Sequence, residues 1–200
     1  PKDMSDKLLE VMASMPNICR AIHLPAQSGS SVMLERMNRK YTPEEYMAIV
    51  EKIRVYFPDA AFTTDVMVGF PEETEEEFEE SLAFIQKCRF ADMHIFPYSR
   101  RPGTPADKMP VQLGNAVKEA RSKKAIAIAA EMSKAYRQAM IGTVQEVLFE
   151  EESGAYYVGH APNYGKVYAK GENLHNQICS VKITGPYEDG LVGKLIVGEA

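Results

Sequence analysis

The chain has 200 residues, 45% of them apolar, and a formal charge of −5. That is enough apolar material for a sizeable core in one large or two small domains, and the acidic balance excludes binding of a polyanion through bulk charge. No apolar run is long enough to span a bilayer and no signal-peptide pattern opens the chain. Cys19, Cys88 and Cys179 are widely spaced, so a reducing, cytoplasmic setting without membrane partners is expected.

In chain order, residues 5–15 place Leu8, Leu9, Met12 and Met15 on one helical face, with Ser5 or Asp3 as cap. Ile18–Leu24 is a run of strand length that ends at Pro25, and QSGSS (27–31) is a polar loop. A short helix follows over 32–40, with Val32, Leu34 and Met37 inward. Thr42-Pro43-Glu44-Glu45 then opens a helix that runs to about Tyr56. Ala60–Val68 reads as a continuous strand, expected to be buried on both faces. Thr74 caps a helix to about Lys87, Met93–Pro97 is a third strand, and a long helix covers about 115–140. Beyond Gly142 the period changes to five short strands between Gly, Asn, Pro and Asp turns, the pattern of a small closed β-barrel. The expectation is an α/β domain of parallel strands over 1–139 and an all-β barrel over 140–200. Pro1 in place of an initiator Met reads as the interior of a longer chain.

In parallel α/β sheets, chemistry gathers at the carboxyl ends of the strands. Three such ends are polar here: Gln27/Ser28, Asp65/Gly69 and Tyr98/Ser99. Gly69 suits either a tight turn or close approach of a ligand to the backbone. Glu72, Glu73, Glu75, Glu76 and Glu77 are expected to be a solvated helix start. Asp65 within a strand calls for a partner, and His23 alone is more often a core histidine than a ligand. No catalytic pair, triad or metal-ligand set emerges from the spacing. Residues 99–124 carry seven basic residues against two acids, either a phosphate-tracking stretch or a solvated basic helix face. The final barrel has four lysines against eight acids, so RNA contact there would use Asn163, Tyr164 and Tyr168 rather than many phosphate contacts.

Three segments carry a resemblance: HLPAQSGSSVMLERMNRKYTPEEY (23–46), TTDVMVGFPEETEEEF (63–78) and HIFPYSRRPGTPADKMP (94–110). In order and spacing they resemble the radical S-adenosylmethionine (SAM) methylthiotransferases, which add a methylthio group to a modified tRNA adenosine or a ribosomal-protein aspartate. The last five strands resemble the OB-like TRAM barrel that ends those enzymes. The resemblance implies the second half of a partial (βα) radical SAM barrel followed by a TRAM domain. It also implies SAM contacts at Gln27, Ser28, Val68, Gly69, Phe96, Pro97 and Tyr98, and contacts with tRNA at Arg100 and Arg101. FPYSRRPGTPA and GHAPNYGKVYAK look most like the branch acting on C2 of N6-threonylcarbamoyladenosine beside the anticodon. The opening PKDMSDKLLEVMASMPNICRAIHLP is nearer the isopentenyladenosine branch. The three cysteines match none of the family's C-x3-C-x2-C motif, which holds the 4Fe–4S cluster in the other half of the barrel. The chain alone is therefore expected to lack catalysis, to serve at most as an RNA-binding module, and to associate through an open sheet edge and an apolar barrel interior.

Overall fold

The computed structural model describes residues 4–196. The reading of Pro1 as interior chain, the alternative cap at Asp3 and the end of the last expected strand at Val197 lie outside them.

Helix α1 (Asp6–Ser14) is capped by Ser5, whose hydroxyl accepts from the Leu8 N–H. Only Leu9 of this helix is fully buried; Leu8 and Met15, expected inward, are exposed. Strand β1 (Ala21–His23) is shorter than the apolar run predicts. It pairs with β2 (Ala61–Val68) in a register that begins at Ala21↔Ala61; the Arg20 carbonyl still accepts from the Ala61 N–H at 2.8 Å, and β2 offers Ile18 and Cys19 no partner among the described residues. The Arg20 N–H, on its other side, donates to the Pro162 carbonyl in the barrel, at 2.7 Å.

Helix α2 (Ser31–Arg36) stops early because Asn38 takes a left-handed backbone, φ 57°, and the Arg39 N–H bonds back to the Leu34 carbonyl. Its inward residues are Met33 and Leu34, while Val32 faces solvent. Helices α3 (Pro43–Tyr56) and α4 (Glu75–Cys88) each open with a complete capping box, Thr42/Glu45 and Thr74/Glu77. Strand β3 (Asp92–Pro97) completes a parallel sheet of order β1-β2-β3.

Burial along β2 alternates rather than running continuous. Phe62, Thr64, Val66 and Val68 lie under the helices, whereas Thr63, Asp65 and Met67 face the other way, only half-covered. The helices therefore cover one face of the sheet. The opposite face, which the sequence suggested would be apolar, carries Thr63 and Asp65 with His23 and His94 on either side.

A 3-10 turn (Ala106–Lys108) interrupts the loop to α5 (Asn115–Met140), which packs on β3 and β2. Met140 and Tyr136 then enter the core of the second unit with Val147, Phe149, Val167, Val181, Ile183 and Leu191. That unit is a closed barrel, consistent with a TRAM domain, of β4 (Val144–Ser153), β5 (Tyr156–His160), β6 (Lys166–Ala169), β7 (Ile178–Tyr187) and β8 (Gly190–Leu195). The strand order is β4-β5-β6-β8-β7.

Gly29 lets α4 reach the sheet: a Cβ there would lie 2.4 Å from the Phe84 Cβ. Gly29→Ala is expected to destabilise the protein by about 1–3 kcal/mol through overpacking; a urea titration reading a lowered midpoint with unchanged slope checks it.

Candidate functional site

The loop after β1 extends the sheet instead of leaving it. Gln27 has φ 64°; its N–H donates to the Asp65 carbonyl at 2.8 Å and its carbonyl accepts from the Met67 N–H at 2.9 Å. The Thr64 hydroxyl accepts from the Ala26 N–H and donates to the Leu24 carbonyl. Ser28 is buried and shares a hydrogen bond with the Ser81 hydroxyl, which also accepts from the Gly29 N–H. The position of this loop is thus fixed by β2 on one side and α4 on the other.

After β2 the chain turns at Gly69, φ +69°, where a Cβ would fall 2.5 Å from Lys118 Cγ of α5. Turn conformation and the close approach of that lysine stem both demand glycine. The Gly69 N–H donates to Glu73 Oε2 at 2.7 Å, and Arg121 Nη1 donates to the same oxygen at 2.6 Å and to the Glu73 carbonyl at 3.0 Å. Side-chain exposure of this pair is 7% and 1%, so Glu73 is not part of a solvated helix start. Burial pushes the Glu73 carboxyl up, and the Gly69 N–H and Arg121 oppose that shift. Glu77 departs from the expectation too: Arg36 grips it with two hydrogen bonds, 2.9 and 3.0 Å, which hold its carboxyl below the ordinary range. These ion pairs were missed because the helix-start pattern explains the same acids locally, and only three-dimensional proximity brings Arg36 and Arg121 to them.

The basic stretch is consequently less available than its composition suggests. Arg121 is buried, Lys124 pairs with Glu79, Lys118 donates to the Tyr98 carbonyl, and Arg100 clamps Asp107 through its side chain and carbonyl. Arg101, Lys108, Lys118 and Lys123 are its cations without an ion pair among the described residues, and of these Lys118 is taken up by the Tyr98 carbonyl.

On the open face of the sheet, Asp65 lies between two imidazoles. His23 Nε2 is 3.6 Å from one carboxylate oxygen and His94 Nδ1 is 3.6 Å from the other, while His23 Nδ1 is 2.9 Å from the Thr63 hydroxyl. Phe96 continues this face toward the strand ends, its ring 5.2 Å from that of His94 at 34°. The period-2 spacing of Asp92, His94 and Phe96 was the available signal for this face.

Of the residues expected to contact SAM, Gln27, Ser28, Val68 and Tyr98 are buried, Phe96 is half-buried and Pro97 is exposed. Tyr98 packs edge-on against Phe70, its hydroxyl without a hydrogen-bond partner among the described residues, and Pro97, Ser99, Arg100, Asn115 and Lys118 edge a groove of about 480 Å³ beside it. All of these gather at the carboxyl ends of the strands. Asn163 and Tyr164 do not join them. They line a cleft of about 310 Å³ against Ala61, Thr63 and Asp92, at the opposite end of the sheet. Asn163 is buried and accepts from the Gly165 N–H, whereas Tyr164, with φ 63°, is 72% exposed and lies over His160.

The donor set does not suit an iron–sulfur cluster. Cys88 is in the core with its thiol pushed up by burial to about 12, Cys19 is exposed and Cys179 half-buried. No three His, Cys, Asp or Glu side chains converge as a metal site among the described residues. No described helix is long and apolar enough to cross a membrane.

Residues 1–85 match the family model described as the Radical SAM superfamily. Over 98% of its length the chain is 40% identical to a tRNA-2-methylthio-N6-dimethylallyladenosine synthase of Aquifex aeolicus, covering 45% of that protein. It is 46% identical to the enzyme of the same name from Desulfitobacterium hafniense over 76% of the chain and 34% of that protein. With the threonylcarbamoyladenosine tRNA methylthiotransferase MtaB of Bacillus subtilis it shares 38% identity over 98% of the chain and 46% of that protein. The resemblance to radical SAM methylthiotransferases read from the three motifs is thereby shown, for a chain that spans under half the length of these relatives.

Removing one partner of the Glu73–Arg121 pair strands a buried charge. Arg121→Met is expected to cost about 3–5 kcal/mol, with much of that recovered in the Glu73→Leu/Arg121→Met double variant; a double-mutant cycle by urea denaturation reads this directly. Because the Glu77 carboxyl is depressed from 4.5, its contribution is present above that value and fades as pH falls below it. Glu77→Gln should begin less stable at neutral pH and lose less on acidification, as melting temperatures across that range will show.

Proposed function

We propose that this chain is the later part of a radical SAM tRNA methylthiotransferase, acting in the cytoplasm, whose parent adds a methylthio group to C2 of an N6-substituted adenosine beside the tRNA anticodon. The observation that carries this reading is the near-complete coverage of the chain by two tRNA methylthiotransferases at about equal identity. On this reading residues 1–139 are the C-terminal part of the barrel and 140–200 are the TRAM domain.

The radical and group-transfer chemistry of such an enzyme belongs to SAM and 4Fe–4S clusters. What these residues contribute is a place to bind. Gln27, Ser28, Val68, Gly69 and Tyr98, with the exposed surfaces of Phe96 and Pro97, would line the place where SAM binds. Arg101, whose side chain has no partner among the described residues, would meet a tRNA phosphate, joined by Arg100 where its clamp on Asp107 opens. At the far end of the sheet Asn163 shapes the turn that presents Tyr164 for stacking on a base. Since cluster ligation needs thiolates and the three cysteines do not converge, these residues require the cluster-bearing half of the barrel for turnover.

FPYSRRPGTPA favours threonylcarbamoyladenosine as the substrate; the dimethylallyladenosine synthases among the relatives favour the other branch. Modified-nucleoside analysis of tRNA from a strain lacking the gene separates them. Loss of the 2-methylthio derivative of one N6-substituted adenosine, restored by the complete gene, is expected. Unchanged nucleoside content would leave a non-catalytic RNA-binding module.

A further inference from the structure

We propose that Asp65, set between His23 and His94, is the acceptor that reads the N6–H of the target base, with Phe96 as the surface on which the base stacks. The proposal rests on the tRNA-modifying role above and adds the residues that choose the base.

Three strands contribute one polar side chain each to this point, on the sheet face that the helices leave uncovered. Packing alone does not require them, since the other face of the same strands is built from Ile22, Phe62, Val66, Val68 and Met93. Both imidazole nitrogens stand at 3.6 Å from the carboxylate, beside it but beyond direct hydrogen-bonding distance. Asp65 makes no side-chain hydrogen bond among the described residues and is 29% exposed, so its oxygens keep lone pairs for a ligand. The imidazoles add donors at the same level. One step toward the strand ends, Phe96 offers a ring beside His94.

An adenine substituted once at N6 presents the complement: a single N–H donor flanked by the N1 and N7 acceptors. The carboxylate accepts from N6–H, an imidazole N–H donates to a ring nitrogen, and the base plane lies against Phe96. Both adenosines named by the relatives, the dimethylallyl and the threonylcarbamoyl form, retain that one N6–H. An acceptor at this point would therefore serve either branch, leaving the N6 substituent to be read elsewhere.

The test compares anticodon stem–loop RNAs that differ only in this proton. Protein expressed from its complete reading frame is titrated, by fluorescence anisotropy, with RNA bearing each N6-substituted adenosine and with its N6-methylated twin, which has no N6–H. The unaltered protein should bind the N–H forms about ten- to hundredfold tighter, the range of a hydrogen bond to a charged acceptor. Asp65→Leu, which keeps the branched side-chain skeleton and has no acceptor, should bind both members of each pair alike. Equal affinities for the twins in the unaltered protein, or discrimination that survives Asp65→Leu, would overturn the assignment while RNA binding itself upheld the proposed function. Absence of binding to any of these RNAs would overturn both.

Discussion

Glu73 sits just past the middle strand, out of contact with water, and a carboxylate in that position imposes conditions on everything near it. It needs donors, and it finds them in the Gly69 N–H and in Arg121 from a helix far along the chain. The first donor points correctly only because Gly69 adopts a left-handed backbone, which also removes the Cβ that would strike Lys118. The second is present only if α5 crosses the end of the sheet in one orientation. Replacing such a pair with apolar side chains is often neutral in stability, so its value here lies in the arrangement it permits. One charge thus fixes the turn after β2, the start of α4 and the seat of α5.

The same constraint separates the two faces of the sheet. Helices held at the strand ends cover Phe62, Val66 and Val68, and the other face is left to Asp65, the two histidines and Phe96. A polar face avoids the association that an apolar one of that extent would invite. It also links the two groups of candidate residues: Arg100 and Arg101 lie beyond one end of the face, Tyr164 beyond the other.

Element order and the five-stranded barrel were legible because they follow from period and punctuation: capping boxes at Thr42 and Thr74, and turn residues between short alternating runs. The ends of β1 and α2 were not, since one depends on where β2 begins and the other on the backbone of Asn38. The strand-end positions of Gln27, Gly69 and Phe96 could be placed from the strands that lead into them. The roles of Glu73, Glu77 and Arg121 could not, because an acidic first turn reads the same whether its partners are water or an arginine from another helix. His94 was hidden differently, as an ordinary polar residue in a strand whose open face only the packing of the other helices defines.

Helix α5 joins these regions as a stiff rod: Arg121 is locked at the mouth of the sheet and Met140 is embedded in the barrel core. Over that interval each residue advances the axis by about 1.5 Å and turns it by about 100°. A residue inserted or deleted there would hardly alter the spacing of the two units, but it would swing the barrel and Tyr164 around to a different side of the sheet. The phase of the helix, more than its length, aligns the far end of the polar face with the barrel, so the number of residues between Arg121 and Met140 is under tighter constraint than the identity of the exposed ones.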